Sequence, residues 1–553
     1  MQEKTKVKRS TVFIALAFLL GVPAAAHLLF SWMGYNPTDD GFTLAYSRRI
    51  LEGQVPHRDF IIIRPFLSPL IHTPFVLFAG EYMFWISRLF VWFQFACISW
   101  AWVAIINRAF DNPFGDVSRF FFALVAFVAS VNLFALMAWH TVDGVFFASL
   151  GAWLLATRRH PAARGGGYVL IAIAYLCKQS FVFLAPLSLL IMGEWREKKH
   201  WAALAAPGLL YGVYLLLTGA LDEAISQVGS QTGLFSVGVL SYLNYGVALG
   251  AVAGFAALWS TNRRASRPRL DVVLRVVGST GLILVPAGFI AVGLYTGNIS
   301  TVSYGVFGML AGATLYHAYA TWKAGLDNPG EMDKLRVALL ILVLAWCASL
   351  SLGANSPLLG MGPMFVTLVA LVYSARYRLD FRVLWGVVAV AGLLVLIGFG
   401  LSRPVYIYNE DPYTNLTEPL GGVLPGGSMI YTNPTTHAFM SDLDRTVEQI
   451  SRTDKKYAII PDAPGYWPQA DQSNPLSIDW QFPVELSNHD LVDRVVDDLE
   501  AERGETVVIV QKVDVFSLSD ELLPLDKRDY PVVRHVRENF DKTGETKFFE
   551  LYE

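Results

Sequence analysis

The chain has 553 residues, of which 54% are hydrophobic and only 16% charged, and its mean hydropathy is +0.42. A soluble chain of this length carries about 25% charge; here long segments carry none, which excludes a soluble enzyme and marks a polytopic membrane protein. The net charge of −3 hides two unlike parts, because residues 1–401 hold 29 Lys/Arg against 18 Asp/Glu whereas residues 402–553 hold 14 against 28.

Such asymmetry argues for two compartments. Nucleic acid is excluded as a partner, since the basic residues are spread over short loops and the one sizeable polar region is acidic. Cys97, Cys177 and Cys347 all fall in apolar stretches and read as small core residues, with no disulfide framework.

Thirteen apolar segments read as membrane helices: 11–33, 85–106, 119–137, 141–157, 167–178, 180–193, 201–219, 239–260, 276–296, 301–322, 336–353, 362–374 and 383–401. The first reads as a span and not as a cleaved leader, since its apolar run is long and further apolar residues follow Ala24-Ala25-Ala26 directly. With the N-terminus in the cytoplasm, the loops on that side hold 23 Lys/Arg, while the short loops opposite hold one, Lys178. This is a strong positive-inside bias. An odd number of spans then places the C-terminal region on the outer face.

The first outer loop, 34–84, is long. Within it Phe42 to Leu51 reads as a helix that stops at Gly53, and 65–79 as an apolar segment lying at the interface. Residues 402–427 form a Pro/Gly-rich linker. From 428 to 553, strand-like runs (YAIIPD, TVVIVQKV, KFFELYE) alternate with helix-like runs (HAFMSDLDRTVEQISR, NHDLVDRVVDDLEAER), an α/β pattern. The expected architecture is therefore a transmembrane domain over 1–401, that linker, and an extracytoplasmic α/β domain over 428–553.

Topology gathers the unusual polar residues on one side. Asp39 and Asp40 follow the first span in YNPTDDGF, and Arg64 lies in the same loop before Pro65. His140 and Asp143 (WHTVDG) fall at the next outer turn, Lys178 and Gln179 (CKQSF) at a later one. A carboxylate at an interface can act as general base toward a hydroxyl. Arg and Lys can hold a phosphate and stabilise the charge growing on it as it departs. Taken singly, each has a plainer reading: a solvated turn or helix N-cap for the two acids, a snorkelling side chain for Arg64. Lys178 resists that reading, because it breaks the charge rule at a span end.

The stretch PTDDGFTLAYSRRILEGQVPHRDF, followed by Arg64-Pro65, resembles the first outer loop of GT-C integral membrane glycosyltransferases. The likeness is to the branch of family 39 protein O-mannosyltransferases and lipid A aminoarabinose transferases. The resemblance implies a GT-C fold and an inverting transfer of a sugar from a polyprenyl-phosphate carrier to a glycan, lipid or protein hydroxyl outside the cytoplasmic membrane. It implies Asp39 as the base with Asp40 beside it. It further implies Arg64 near the carrier phosphate and matches Asp143 and Lys178 by position; beside these, Lys178 and Gln179 are candidate phosphate-binding residues, and His140, Asp143, Arg58 and His72 candidate substrate-binding residues. Two departures stand out: Phe42 occupies the position of an Arg in the aminoarabinose transferases, and Arg64-Pro65-Phe66 replaces their Lys-Pro-Pro.

No cofactor is implied. A divalent metal stays open, since Asp39, Asp40, His140 and Asp143 can meet only in space. Alternative readings are a lipid or glycan flippase or transporter, and an oligosaccharyltransferase or ligase on the same fold. The uncharged later spans and the large outer domain weigh against a transporter.

Overall fold

The computed structural model describes residues 9–158, 160–231, 233–262, 268–325, 328–350, 355–375, 380–519, 522–525 and 529–553. It is predominantly helical, with a small sheet region near the C-terminus. Six helices are long and apolar enough to cross a membrane: Ser10–Phe30, Gly80–Ala109, Lys198–Leu217, Arg269–Tyr295, Ile299–Lys323 and Arg382–Ser402. The other expected spans are helical too, but shorter or less uniformly apolar, among them Asp116–Val131, His140–Thr157, Pro161–Cys177 and Met361–Tyr373. Full crossing length is thus reached by fewer helices than the thirteen segments suggest. The end of segment 336–353 and the basic stretches at 1–8, 263–267 and 376–379 lie outside the described residues.

Two interruptions explain the shorter helices. Lys178 is extended (φ −151°, ψ 127°) and separates Pro161–Cys177 from the 3-10 turn Gln179–Phe183. The 239–260 segment is broken between Gly233–Leu240 and Tyr245–Asn262. Helix Tyr245–Asn262 packs on Ile299–Lys323 through small residues. A Cβ at Gly254 would lie 2.0 Å from the Met309 carbonyl, and one at Gly312 would lie 1.8 Å from that of Ala251. Apolar helices in lipid associate through such close backbone approach.

The C-terminal region folds as the alternating runs predict. Strands β1 (Glu418–Pro419) and β2 (Tyr431–Thr432) pair with each other, and a four-stranded sheet follows from β3 (Lys456–Ile460), β4 (Thr506–Gln511), β5 (Lys542–Glu545) and β6 (Phe549–Tyr552). Its order is β3-β4-β6-β5, with β3 and β4 parallel and the other pairs antiparallel. Successive side chains of a strand point to opposite faces. Ala458, Ile460, Val508 and Val510 accordingly meet Leu491, Val495 and Val536 of the helices His489–Ala501 and Pro531–Asn539. Tyr457, Ile459, Val507 and Ile509 join the opposite core, which includes Tyr35, Leu44, Val76 and Phe84. One face of the C-terminal domain therefore shares its core with the loop 34–84.

That loop is built to receive the domain. Helix Phe42–Leu51 forms as expected, and Gly53 beyond it has φ +84°. Segment 65–79 holds the helix Leu67–Phe78, which buries Ser68, Pro69, His72 and Val76. Arg49 makes a bidentate ion pair to Asp479 at 2.6 and 2.8 Å, both side chains buried. Phe60 to Ile63 run between two cores. Ile61 and Ile63 face Leu476 and Ile478, while Phe60 and Ile62 face Phe42, Tyr46 and Trp480. The two-residue period carries Arg64 onto the face of Phe42 and Trp480.

Candidate functional site

The YNPTDDGF turn is closed by its own polar groups. Asn36 Oδ1 accepts the backbone N–H of Thr38 (3.2 Å) and Asp39 (3.0 Å), and Asp40 Oδ2 accepts that of Asn36 (2.9 Å). Neither acid caps helix Phe42–Leu51, whose N-cap is Gly41 with no side-chain bond. Gly41 has ordinary helical angles (φ −108°, ψ −21°), so it is not there to bend the chain. It is there because a Cβ would lie 2.0 Å from Gly465 Cα of the C-terminal domain. Gly465 in turn donates its N–H to Pro37 O at 3.0 Å, and the turn is stacked backbone to backbone on the PDAPGYW loop.

The two acids are held differently. Asp40 is fully engaged: Oδ1 accepts from Arg88 at 2.9 Å while Oδ2 accepts from Asn36. Arg88 also donates to the carbonyls of Ser31 and Gly34, each at 2.8 Å, which closes the open end of the first span. Asp39 is 4% exposed, and its Oδ2 accepts from the Tyr408 hydroxyl at 2.7 Å. Oδ1 accepts no hydrogen bond among the described residues. Burial pushes the Asp39 carboxyl up to about 6. The Tyr408 hydrogen bond opposes that rise, Asp40 adds to it, and the Arg64 charge draws it down.

Arg64 lies over the rings of Phe42 (5.8 Å) and Trp480 (5.9 Å), which stack on each other at 4.7 Å. One terminal nitrogen pairs with Glu485 at 2.7 Å; the other, Nη1, is buried without a hydrogen-bond partner. Burial raises the Glu485 carboxyl and Arg64 lowers it. His140 and Lys178 both lie within the field of Arg64. His140 packs on Trp139 (5.8 Å) and Phe42 (5.9 Å), its Nδ1 unpartnered. Lys178 is buried, donates only to Ala348 O (3.2 Å), and forms no ion pair among the described residues. Gln179 donates to Ile63 O at 3.2 Å, anchoring the chain just before Arg64.

Asp39, Arg64 and His140 thus gather around Phe42 and Trp139, with Lys178 within the field of Arg64. The other sequence candidates are engaged with partners of their own. Asp143 accepts from Ser68 (2.5 Å), Gln94 (2.6 Å) and His72 (3.2 Å) in a closed cluster, and no hydrogen bond or ion pair among the described residues joins it to Asp39. Arg58 is about half exposed, pairs with Asp59 at 2.8 Å and donates to Thr218 O. Among the described residues, no group of three or more His, Cys, Asp or Glu could hold a metal ion.

Four contributors escaped the sequence reading. Arg88 carried a signal, an ionisable side chain inside an apolar segment. Tyr408 sits in what reads as linker, and Trp480 and Glu485 in a loop with no local pattern; only the tertiary fold delivers them. The aromatics of PDAPGYW are core, with Trp467 2% exposed and stacked on Tyr457 at 5.5 Å. No protein-family model, no curated protein and no solved structure matches the chain.

Proposed function

We propose that the protein is an inverting glycosyltransferase of the cytoplasmic membrane that moves a sugar from a polyprenyl-phosphate carrier to a hydroxyl acceptor on the outer face. One observation carries the reading: a buried carboxylate with an oxygen unengaged among the described residues, Asp39, lies within the field of Arg64, which also reaches the buried Lys178. A base serves best when its pKa lies near the working pH, and Asp39 at about 6 meets that condition.

In this reading the acceptor hydroxyl gives its proton to Asp39 Oδ1 while its oxygen bonds to the sugar's anomeric carbon. The bond from that carbon to the phosphate oxygen breaks on the opposite face, so the configuration inverts. Polyprenyl phosphate leaves with the electron pair, against Arg64 and Lys178. Asp40, fixed by Arg88 and the Asn36 N–H, orients the turn that aims Asp39. The thirteen apolar segments cross the membrane with the N-terminus inside, which sets the α/β domain on the acceptor side.

The test is release of polyprenyl phosphate from a panel of radiolabelled polyprenyl-phosphate sugars by purified protein in liposomes. Asp39→Asn keeps the shape of the side chain and should cost about 10²–10⁴-fold in rate with the fold retained. Undiminished transfer by that variant would remove Asp39 from the chemistry.

A further inference from the structure

The chain leaving helix Phe381–Ser402 is clamped on both sides of Tyr408. Arg403 donates to the carbonyls of Asn132 (3.3 Å) and Phe134 (2.8 Å). Glu410, 8% exposed, accepts the Tyr35 N–H at 3.2 Å and the Thr432 hydroxyl. Between these anchors the Tyr408 ring stands edge-on to Trp139 at 6.5 Å. A phenol so fixed is a directional donor and not a wandering side chain, and its one acid partner is Asp39 Oδ2 at 2.7 Å.

We infer that Tyr408 is a positioning residue, whose hydroxyl locks the Asp39 carboxylate with Oδ1 turned to the acceptor and sets how tightly that carboxylate holds a proton. This rests on the reading of Asp39 as base, yet its central measurement does not use transfer. A hydrogen bond to the ionised form favours that form. Burial and Asp39 both raise the Tyr408 phenol, so it stays protonated and available to donate. The charged groups acting on Asp39 are Asp40 from its own turn and Arg64, with Arg88 on the far side of Asp40; His140 and Lys178 lie within the field of Arg64 and form no hydrogen bond or ion pair with Asp39 among the described residues. Among the described residues only Tyr408 hydrogen-bonds to the carboxylate, so its removal is the cleanest way to move the base without moving a charge.

The experiment is modification of Asp39 by dicyclohexylcarbodiimide, which attacks protonated carboxyls in apolar surroundings, followed by mass spectrometry across pH on the full chain in nanodiscs. Wild type should show a midpoint near 6. Tyr408→Phe keeps the ring and should raise the midpoint by about one unit, a tenfold gain in proton affinity. Incorporation of 3-fluorotyrosine at 408 keeps ring and hydroxyl, makes a stronger donor, and should move the midpoint slightly the other way. It is also the decisive variant where Tyr408→Phe fails to fold. A midpoint unmoved in the folded variants overturns the inference. A midpoint that moves while the pH profile of transfer stays put supports Tyr408 and counts against Asp39 as the base.

Discussion

Removing the Arg49 guanidinium should undock the C-terminal domain from the loop 34–84. Arg49 meets Asp479 through two bonds of 2.6 and 2.8 Å, and also donates to Leu476 O at 2.7 Å and Gln54 Oε1 at 2.9 Å. With side-chain exposures of 5% and 2%, neither partner of the pair can turn to solvent. Arg49→Met leaves the Asp479 carboxylate buried with the Asn474 amide (2.9 Å) as its remaining side-chain donor. Breaking a buried pair from one side costs about 3–5 kcal/mol, or roughly 150- to 4,000-fold in the docking equilibrium. Two amides report docking directly: Ile61 N–H donates to Ser477 O (2.7 Å) and Gly465 N–H to Pro37 O (3.0 Å). Their hydrogen exchange, read by mass spectrometry in nanodiscs, should accelerate by that factor, while amides within helix Met83–Ala109 stay unchanged. Arg49→Met with Asp479→Leu replaces the pair by apolar groups and should recover most of the protection. Exchange within about threefold of wild type in the single variant, or a double variant as fast as the single, would refute the reasoning.

Gly41→Ala drives a methyl into the Gly465 backbone, 2.0 Å from its Cα, and backbone cannot swing aside. The overpacking should cost about 1–3 kcal/mol, seen as a lower unfolding temperature, and displacement of the turn should cost about 10²-fold in transfer; Gly115→Ala, where a Cβ meets nothing within 4 Å, is the control. Transfer should fall as pH drops through about 6, because Asp39 works as the deprotonated form and its carboxyl is raised to about 6. A rate flat from pH 7 to about pH 4.5 would show that another group is the base.

The fold was largely legible because period and composition carry it. Apolar runs gave the helices, and the short continuous apolar runs in YAIIPD and TVVIVQKV gave β3 and β4, whose two faces meet different cores. β5 escaped, since Lys542–Glu545 has no apolar alternation and is held by pairing with β6. At the site, residues flagged by charge against an apolar background were findable: Asp39 and Arg64 lie near Phe42 and Trp139 with His140, and Lys178 lies within the field of Arg64. Asp143 and His72 were equally visible, but sequence cannot show that they satisfy each other. Gly41 shows the same limit from the other side. Its partner is Gly465, more than four hundred residues along the chain, and no local rule of turn chemistry points there.

The C-terminal domain is better understood as one wall of the site than as an appendage. Among the described residues two ion pairs cross from the first loop to it, Arg49–Asp479 and Arg64–Glu485, and in each the domain's carboxylate is buried. Buried pairs are weak contributors to stability, since the cost of stripping water from both ions offsets their attraction. Apolar residues would hold the domain as firmly and could slide. A bidentate guanidinium–carboxylate pair accepts one geometry, and the Gly41–Gly465 contact allows no spacer between the backbones. Docking is therefore specified more than it is strengthened. What it specifies is the position of Trp480 on Phe42, of Glu485 on Arg64, and of the turn that carries Asp39. A base within this loop is aimed only when the domain is seated, which ties the chemistry proposed for the membrane domain to a fold that begins after its last helix.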